Sequence, residues 1–506
     1  MKVAIIGAGF SGLATAKVLT ALGHDVTVYD KTPDVGGVWS VTRRYPGLCT
    51  QNNKGTYAFS DHPMPQSYPE WPSGEQVQAY LESYVARFDL SSTLRLGTEV
   101  TSAVPADTGG WTLRTSADTL HYDHLVVANG IFSTPFVPRF AGEEEFRAAG
   151  GEVGPAGSLH DHTATAGRHV VVVGYGKSAC DVAVEVSKSA SSTTVVTREL
   201  LWKLPRKLGG LLNYKFLMLT RLGEGLFRYR SVSGVERVLH ANDSALAGGM
   251  LGSVGAATIR QLGLADLGLV PNASFGDIAR STVSLATEGF FPRVRDGSIA
   301  VARDCVIDRL EVVDGAPHAA LSDGRVVPAD LVIAATGFRQ VVPFLSEEVT
   351  DQLLDRNGDY QLYRQILPIA VPDLTFNGYN SSLFSPLSAE MSAAWIGSHL
   401  ARAHRLPSPE AQRQHVTERL AWMKQRTRGK HARGTNIIPF SLHNIDEVLG
   451  DLGLDVGPGR KAMQWLLPVS PSAYSGVMPR LVARLTTKPT TVSPLALDPE
   501  SEPLAA

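Results

Sequence analysis

The sequence predicts an α/β protein with two Rossmann-like dinucleotide-binding domains, and three observations support this prediction. A G-x-G-x-x-G fingerprint starts at Gly7, directly after an apolar strand and at the start of a helix. A second fingerprint, with Ala in place of the third glycine, starts at Gly174 in the same setting. An acidic residue, Asp30, ends the strand that follows the first helix. Each fingerprint predicts a phosphate cradle at a helix N-terminus.

The first unit predicts a site for FAD or NAD. The short β-branched run Val3–Ile6 is typical of a buried parallel strand. Gly7 permits a sharp turn, Gly9 lets a pyrophosphate approach the backbone, and Gly12 lets the helix lie close to the strand. The carboxylate of Asp30 suits a ribose 2′-hydroxyl and repels a 2′-phosphate, which argues against NADP at this site.

The second unit predicts a site for NADPH. The strand Val170–Val173 leads into Gly174, Gly176 and a helix over 180–188. The next strand, 193–197, ends in Arg198 rather than in an acid, and three further cations follow: Lys203, Arg206 and Lys207. Cations at this point would hold a ribose 2′-phosphate. The alternative is that they form a solvated basic loop.

The remaining pattern predicts a β-meander, a helical region and a return to parallel strands. Short strands are expected near 94–96, 99–103, 111–114 and 122–128, and later near 298–303, 310–313, 330–335 and 374–379. Helices are expected over 75–88, 386–402 and 408–426. Residues 208–290 are helical in composition and either cap a substrate pocket or only provide packing.

Composition narrows the class of protein. The chain has 506 residues, of which 43% are hydrophobic and 19% charged, as expected for two or three globular domains. A net charge of −2 argues against a nucleic-acid or anionic-membrane partner. Three widely spaced cysteines argue against a disulfide framework and predict a cytoplasmic setting. No apolar run is long enough to predict a membrane span.

Four further stretches resemble one family when taken in order along the chain. They are Gly36-Gly37-Val38-Trp39, the segment KGTYAFSDHPMP from Lys54, Ser178-Ala179-Cys180-Asp181, and Ala335-Thr336-Gly337-Phe338. Together with the two fingerprints they resemble the class B flavoprotein monooxygenases, and most closely the flavin-containing monooxygenases, from Lys2 to about Arg402. The resemblance implies bound FAD, NADPH as the reductant and molecular oxygen as the oxidant.

The resemblance also implies that the NADPH domain is inserted into the FAD domain. The expected division is an FAD domain at 1–165 and 330–440 and an NADPH domain at 166–329, with a helical insertion at about 208–290. A C-terminal extension at 441–485 and a disordered tail at 486–506 complete the expected organisation. The residues expected to contact the cofactors are Gly7, Gly9, Gly12, Asp30, Lys31, Gly37, Val38, Trp39, Val100, Gly174, Gly176, Lys177, Ser178, Ala179, Arg198, Thr336 and Gly337.

The resemblance points to Gln51 as the residue near the reacting oxygen. The family places an Asn over the flavin, and counting back from Lys54 brings Gln51 to that position, with Asn52 beside it. Either side-chain amide would donate to a C4a-(hydro)peroxyflavin, and the alternative is that both only fix an irregular loop. Arg280 lies roughly where Baeyer–Villiger relatives keep a Lys-Arg pair.

The expected activity is N- or S-oxygenation of a small organic substrate. Baeyer–Villiger oxidation of a ketone is one alternative, and a non-oxygenating NADPH-dependent flavoprotein reductase is another of a different class. A flavin disulfide reductase is disfavoured, because the chain lacks a pair of neighbouring redox cysteines. His160, Asp161 and His162 lack further ligands, so no metal is expected. A homodimer is left open.

Overall fold

A computed structural model describes residues 1–280, 284–427 and 433–487. The predicted disordered tail lies almost entirely outside the described residues. The described helices are Phe10–Ala21, Gly74–Arg87, Glu143–Ala148, Lys177–Val186, Lys215–Met218, Arg221–Gly225, Gly234–Leu239, Ala245–Leu262, Phe290–Arg295, Glu347–Leu353, Ser385–Leu400, Pro409–Thr427, Ser441–Asp451, Pro458–Gln464 and Val477–Thr487.

The first sheet is parallel and carries the first fingerprint. Its central strand continues directly into Gly7 and is hydrogen-bonded on both sides. In spatial order the strands are Leu374–Phe376, His124–Val127, Lys2–Ile6, Asp25–Tyr29 and Leu94–Arg95. The burial of Val3–Ile6, His124–Val127 and Leu374–Phe376 explains their continuous apolar runs in the sequence, whereas the edge strand Leu94–Arg95 is only partly covered.

The second sheet is also parallel and carries the second fingerprint. Its spatial order is Ala300–Arg303, Ser192–Thr197, His169–Val173, Leu331–Ala334 and Glu152–Pro155. Leu331–Ala334 pairs directly with His169–Val173, and Glu152–Pro155 pairs with Leu331–Ala334. Both flanking strands lie outside the range 166–329 predicted for this domain, so the sheet extends past both predicted boundaries.

Two antiparallel meanders and a short ribbon complete the main β-structure. The predicted meander is present as Val100–Pro105, Trp111–Thr115 and Thr119–Tyr122. A second one comprises Ile307–Val313, Ala316–Leu321 and Val326–Pro328. Thr134–Pro135 pairs with Phe338–Arg339, so the two chain crossings between the sheets lie side by side. The other described two-stranded pairs are Lys203–Leu204 with Ser284–Leu285, Lys207–Leu208 with Leu212–Asn213, and Leu362–Tyr363 with Leu367–Pro368.

Helix packing fixes the first cradle from behind. The helix Phe10–Ala21 packs against Ser385–Leu400, whose residues from Pro386 to Ser398 are buried. Gly397 sits where the helices approach, because a Cβ there would come within 3.0 Å of Val18. None of the described helices is both long and apolar enough to cross a bilayer.

The helical region and the C-terminal segment are joined by a buried charged cluster. The imidazole of His443 lies between two carboxylates, 2.5 Å from Glu224 and 2.8 Å from Glu236. Burial opposes the charge on His443, but its two carboxylate partners raise the pKa to about 10. The residues 441–451 are therefore ion-paired to the helices near 221–239.

Candidate functional site

The first glycine turn leaves no room for side chains. Gly7 has φ +116°, and a Cβ there would overlap the carbonyl of Ala128, which directly follows the neighbouring strand His124–Val127. A Cβ at Gly12 would overlap the carbonyl of Gly7, so Gly12 lies behind the turn rather than in the cavity. The turn thus leaves the amide groups at the N-terminus of Phe10–Ala21 accessible to an anion.

The Gly-Gly-Val-Trp segment forms the opposite wall of this turn. Gly37 has φ +59°, and a Cβ on it would lie 3.2 Å from the Cα of Gly9. The amide of Gly36 donates to the carbonyl of Ala8, which fixes the two segments together (3.1 Å). Glycine at 37 therefore allows the two backbones to pack directly against each other at the edge of the cleft.

Asp30 lies at the end of the second strand, as predicted. Its Oδ2 accepts from the amide of Ala8 (2.7 Å) and its Oδ1 accepts from the amide and hydroxyl of Thr32 (2.9 and 2.8 Å). Lys31 and Val100 line the cavity beside it. The carboxylate therefore organises the turn and keeps lone pairs available for a ribose hydroxyl.

The second glycine turn repeats this geometry. Gly174 has φ +123°, and a Cβ there would lie 2.6 Å from the carbonyl of Ala335. Gly176 faces open space, since nothing lies within 4 Å of a Cβ built on it. The helix begins at Lys177, earlier than predicted. Ala179 is buried beneath the turn and does not line the cavity.

Both turns open into one cleft of about 2180 Å³. The other predicted cofactor residues that line it are Val38, Trp39, Lys177, Ser178, Arg198, Thr336 and Gly337. Two phosphate cradles on one cleft fit two dinucleotides whose reacting rings have to come into contact. The cavity therefore fits FAD at the first cradle and NADPH at the second.

The cations after the second sheet strand do not act as one group. Arg198 is exposed and lines the cleft. The grouping of Lys203 with it is wrong, because Lys203 is buried, donates to Ser284 (3.0 Å), and desolvation lowers its pKa. Arg206 is paired with Glu288 (2.9 Å), and Lys207 does not line the cleft. Arg198 is thus the cation of the four that is placed to meet a 2′-phosphate.

Asp181 links the second cradle to the first domain. This buried carboxylate accepts from Tyr45 (3.2 Å), from Thr287 (2.6 Å) and from Lys177. The side chain of Lys177 is thereby turned towards Asp181, with its Nζ 3.8 Å from the thiol of Cys49. Burial raises the pKa of Tyr45 well above its usual value, so its hydroxyl remains a donor.

Gln51 and Asn52 both line the cleft, but their amides differ. The Nδ2 of Asn52 donates to the carbonyl of Leu383, so it is committed to the fold. The Oε1 of Gln51 accepts from the amide of Leu285 (3.2 Å), whereas its Nε2 donates to no residue that the structure describes. Gln51 therefore offers an unpaired side-chain amide to the cleft, whereas the Asn52 amide is anchored to Leu383.

The two remaining predictions concern Arg280 and the His-Asp-His segment. Arg280 ends the 3-10 helix Phe275–Arg280, and its side chain lies outside what the structure describes. Asp161 accepts from the amide of Thr163 (2.9 Å) and so caps a short helix. Within the described residues, no group of three or more His, Cys, Asp or Glu side chains could hold a metal ion.

Sequence reasoning missed two residues that shape the site, Tyr214 and Asp181. Tyr214 lies in an apolar stretch with no recognisable motif, yet its hydroxyl donates to the carbonyl of Gln51 (2.7 Å). Asp181 was visible as part of Ser178-Ala179-Cys180-Asp181, but its partners come from distant segments. A buried acid one turn into a cradle helix was the signal that could have drawn attention to it.

Comparison with known proteins finds similarity to flavin-dependent monooxygenases. The model of the family described as flavin-binding monooxygenase-like matches residues 1–236. A probable flavin-containing monooxygenase 1 of Arabidopsis thaliana is 26% identical, over 93% of this chain and 94% of that protein. Dimethylaniline monooxygenase [N-oxide-forming] 2 of Oryctolagus cuniculus is 30% identical, over 40% of this chain and 41% of its own length.

Solved structures share the fold at lower sequence identity. The S-allyl-L-cysteine S-oxygenase of Allium sativum matches with a TM-score of 0.61 and 17% identity, over 96% of this chain and 97% of that one. Cyclohexanone monooxygenase of Rhodococcus sp. Phi1 bound to NADP+ matches with a TM-score of 0.64 and 21% identity, over 89% and 97% of the two chains.

Proposed function

We propose a reaction type for this chain. The chain belongs to the flavin-containing monooxygenase family and is an NADPH-dependent flavin monooxygenase, with FAD and NADPH as its cofactors. The proposed reaction transfers one atom of O₂ to a nucleophilic nitrogen or sulfur of a small organic substrate. NADPH gives a hydride, solvent gives one proton, and the second oxygen atom leaves as water. FAD, when bound, supplies the ring that accepts the hydride and passes the electrons to oxygen.

The observation that carries this proposal is the free amide of Gln51. It lines the cleft that both cradles share, and its Nε2 has no partner among the described residues. A fixed hydrogen-bond donor that makes no bond within the protein can stabilise charge that develops on a reacting oxygen. Gln51 is therefore the proposed donor at the oxygen site, and Asn52 fixes the loop that carries it.

The nearby cations favour nitrogen or sulfur over ketones. Oxidation of a ketone would call for an uncompensated cation in the cleft, to stabilise negative charge on the attacking oxygen. Lys177 and Arg206, which approach Cys49 two residues before Gln51, are each paired with a carboxylate. The neutral amide of Gln51, close to cations that are already paired with carboxylates, suits transfer of an electrophilic oxygen to nitrogen or sulfur. The name of the rabbit relative, which records N-oxide formation, agrees with this choice.

The test is a substrate screen with the FAD-loaded protein. Matched panels of tertiary amines, thioethers and cyclic ketones are incubated with NADPH in air, and products that gain one oxygen atom are detected by mass. We expect products from amines or thioethers, with NADPH and O₂ consumed in equal amounts. Products from ketones alone would replace the proposal with Baeyer–Villiger oxidation. NADPH consumption without oxygen uptake, given an added electron acceptor, would identify a reductase.

A further inference from the structure

Three consecutive residues of the helical region, which we call the strap, contact the segment 51–70: Asn213, Tyr214 and Lys215. Two of them hold the carboxylate of Glu70, with Asn213 donating at 2.5 Å and Lys215 lying 3.3 Å away. Tyr214, between them, reaches the loop that carries Gln51. The strap thus contacts Gln51 and Glu70, which both lie more than a hundred positions before it in the chain.

Tyr214 makes a specific contact rather than general packing. Its side chain is buried, and its hydroxyl donates to the backbone carbonyl of Gln51 (2.7 Å), with the Oδ1 of Asn52 at 3.3 Å. Burial raises the pKa of Tyr214 well above its usual value, so the hydroxyl keeps its proton. Tyr214 does not line the cleft itself.

The Gln51 peptide is held from several sides. The helical region supplies Tyr214 to its carbonyl, and the segment after 283 supplies the amide of Leu285 to its side-chain oxygen. The side chain of Asn52, the next residue, donates to the carbonyl of Leu383. The Oε1 of Gln51 is fixed by its contact with Leu285. A shift of the Gln51 backbone would therefore change the direction in which the free Nε2 points.

We propose that Tyr214 is a positioning residue, whose hydroxyl holds the Gln51 peptide so that the Gln51 amide stays directed into the cleft. This inference rests on the proposed function. It gives part of the helical region a role in coupling NADPH consumption to oxygenation of the substrate. Coupled turnover transfers oxygen to substrate, whereas uncoupled turnover converts NADPH, O₂ and one proton into NADP+ and hydrogen peroxide. A misplaced Gln51 would favour the second outcome.

The test compares Tyr214→Phe with Tyr84→Phe. Tyr84 is a matched control, because it is buried, its hydroxyl has no hydrogen-bond partner among the described residues, and it lies away from the cleft. We expect Tyr214→Phe to retain FAD and NADPH oxidation but to raise the ratio of peroxide to product about three- to tenfold, as for loss of one buried hydrogen bond. Tyr84→Phe should match the wild type.

Two further measurements separate this inference from the proposed function. Hydrogen exchange followed by mass spectrometry needs no turnover, and Tyr214→Phe should speed exchange in a peptide that covers 50–56 relative to Tyr84→Phe. In a Gln51→Ala background, Tyr214→Phe should add nothing to uncoupling. Unchanged exchange, unchanged coupling, or full additivity would each overturn the role of Tyr214. Failure of the wild type to oxygenate any substrate, with exchange altered as expected, would instead overturn the proposed function.

Discussion

Among single residues, Gln51 is the proposed donor to the reacting oxygen through its free side-chain amide. Truncation in Gln51→Ala removes the only donor that residue offers to the cleft, while the Asn52 contact with Leu383 remains. We expect the ratio of product to consumed NADPH to fall about tenfold, as for a lost charge-stabilising hydrogen bond. Product and peroxide yields measure this, and Gln66→Ala, at an exposed glutamine outside the cleft, is the control. Unchanged coupling would contradict the assignment.

We propose that Arg198 sets the preference for NADPH over NADH. It is exposed and lines the cleft, while the cations after it are buried, paired or outside the cleft. Arg198→Ala should raise the KM for NADPH about tenfold, since a charge-assisted contact to phosphate is lost, and leave the KM for NADH nearly unchanged. Lys207→Ala serves as the control, because Lys207 is also exposed but lies outside the cleft. An equal effect on both nucleotides would refute this role.

The sequence predicted residues that act through their own backbone and missed those that act through distant partners. Gly7, Gly37 and Gly174 were predictable, because a positive φ or a close backbone approach is a local requirement. Lys203 was grouped wrongly, since nothing in the sequence shows that it is buried against Ser284. Tyr214 and Gln51 are 163 positions apart, so no local pattern connects them.

At the scale of elements, one face of the helix Lys177–Val186 docks the second cradle onto the first domain. Lys177, Asp181 and Glu185 follow each other at four-residue spacing and therefore share this face. Lys177 approaches Cys49, Asp181 accepts from Tyr45, and a Cβ at Gly47 would lie 2.6 Å from Glu185. The loop that precedes Gln51 is thus fixed by the helix that would hold NADPH.

Loss of the Asp181 charge should slow hydride transfer. In Asp181→Asn the carboxylate no longer attracts Lys177, and at least one of its three donors loses its partner. We expect the limiting rate of flavin reduction by NADPH to fall about tenfold, as for a buried charged contact, with little change in FAD content.

Anaerobic stopped-flow measurements give the limiting rate and the NADPH affinity separately. Thr287→Val, which removes one donor and keeps the side-chain shape, should have a smaller effect in the same direction. A change in affinity with an unchanged limiting rate would show that Asp181 does not set the approach of the two cofactors.

Element prediction succeeded where burial gives a strong pattern. The strands of the fingerprints were predictable within one or two residues because they are short apolar runs ending in glycine. Glu152–Pro155 and Ala316–Leu321 were not predicted, because Gly, Pro and Ala have low strand propensity and these strands are specified by their neighbours. The membership of Leu331–Ala334 in the second sheet likewise follows from non-local pairing.

At the scale of the whole molecule, the cluster around His443 ties the C-terminal segment to the helical region. His443 has a folded pKa of about 10, above the ordinary value of 6.5. Its contribution to the free energy of unfolding is therefore complete below pH 6.5 and declines as the pH rises through about 10. His443→Asn should cost about 3 kcal/mol at the acid end of this window, because Glu224 and Glu236 lose their partner.

Denaturant unfolding of the wild type and the variant across this pH range measures the difference. It should shrink steadily between pH 6.5 and 10. His121→Asn, at an exposed histidine on the first meander, should show no such trend. A difference that does not vary with pH would mean that His443 is not charged in the folded protein.

We expect NADPH bound at the second glycine cradle to reduce FAD bound at the first, because both cradles face one cleft. The direct test is anaerobic mixing of FAD-loaded protein with NADPH while the yellow absorbance of the flavin is recorded. The wild type should bleach rapidly, and Gly174→Ala, whose Cβ would lie 2.6 Å from the Ala335 carbonyl, should bleach with dithionite but hardly with NADPH. Bleaching of Gly174→Ala by NADPH at the wild-type rate, or a wild type that stays yellow, would show that NADPH at the second cradle does not reduce FAD at the first.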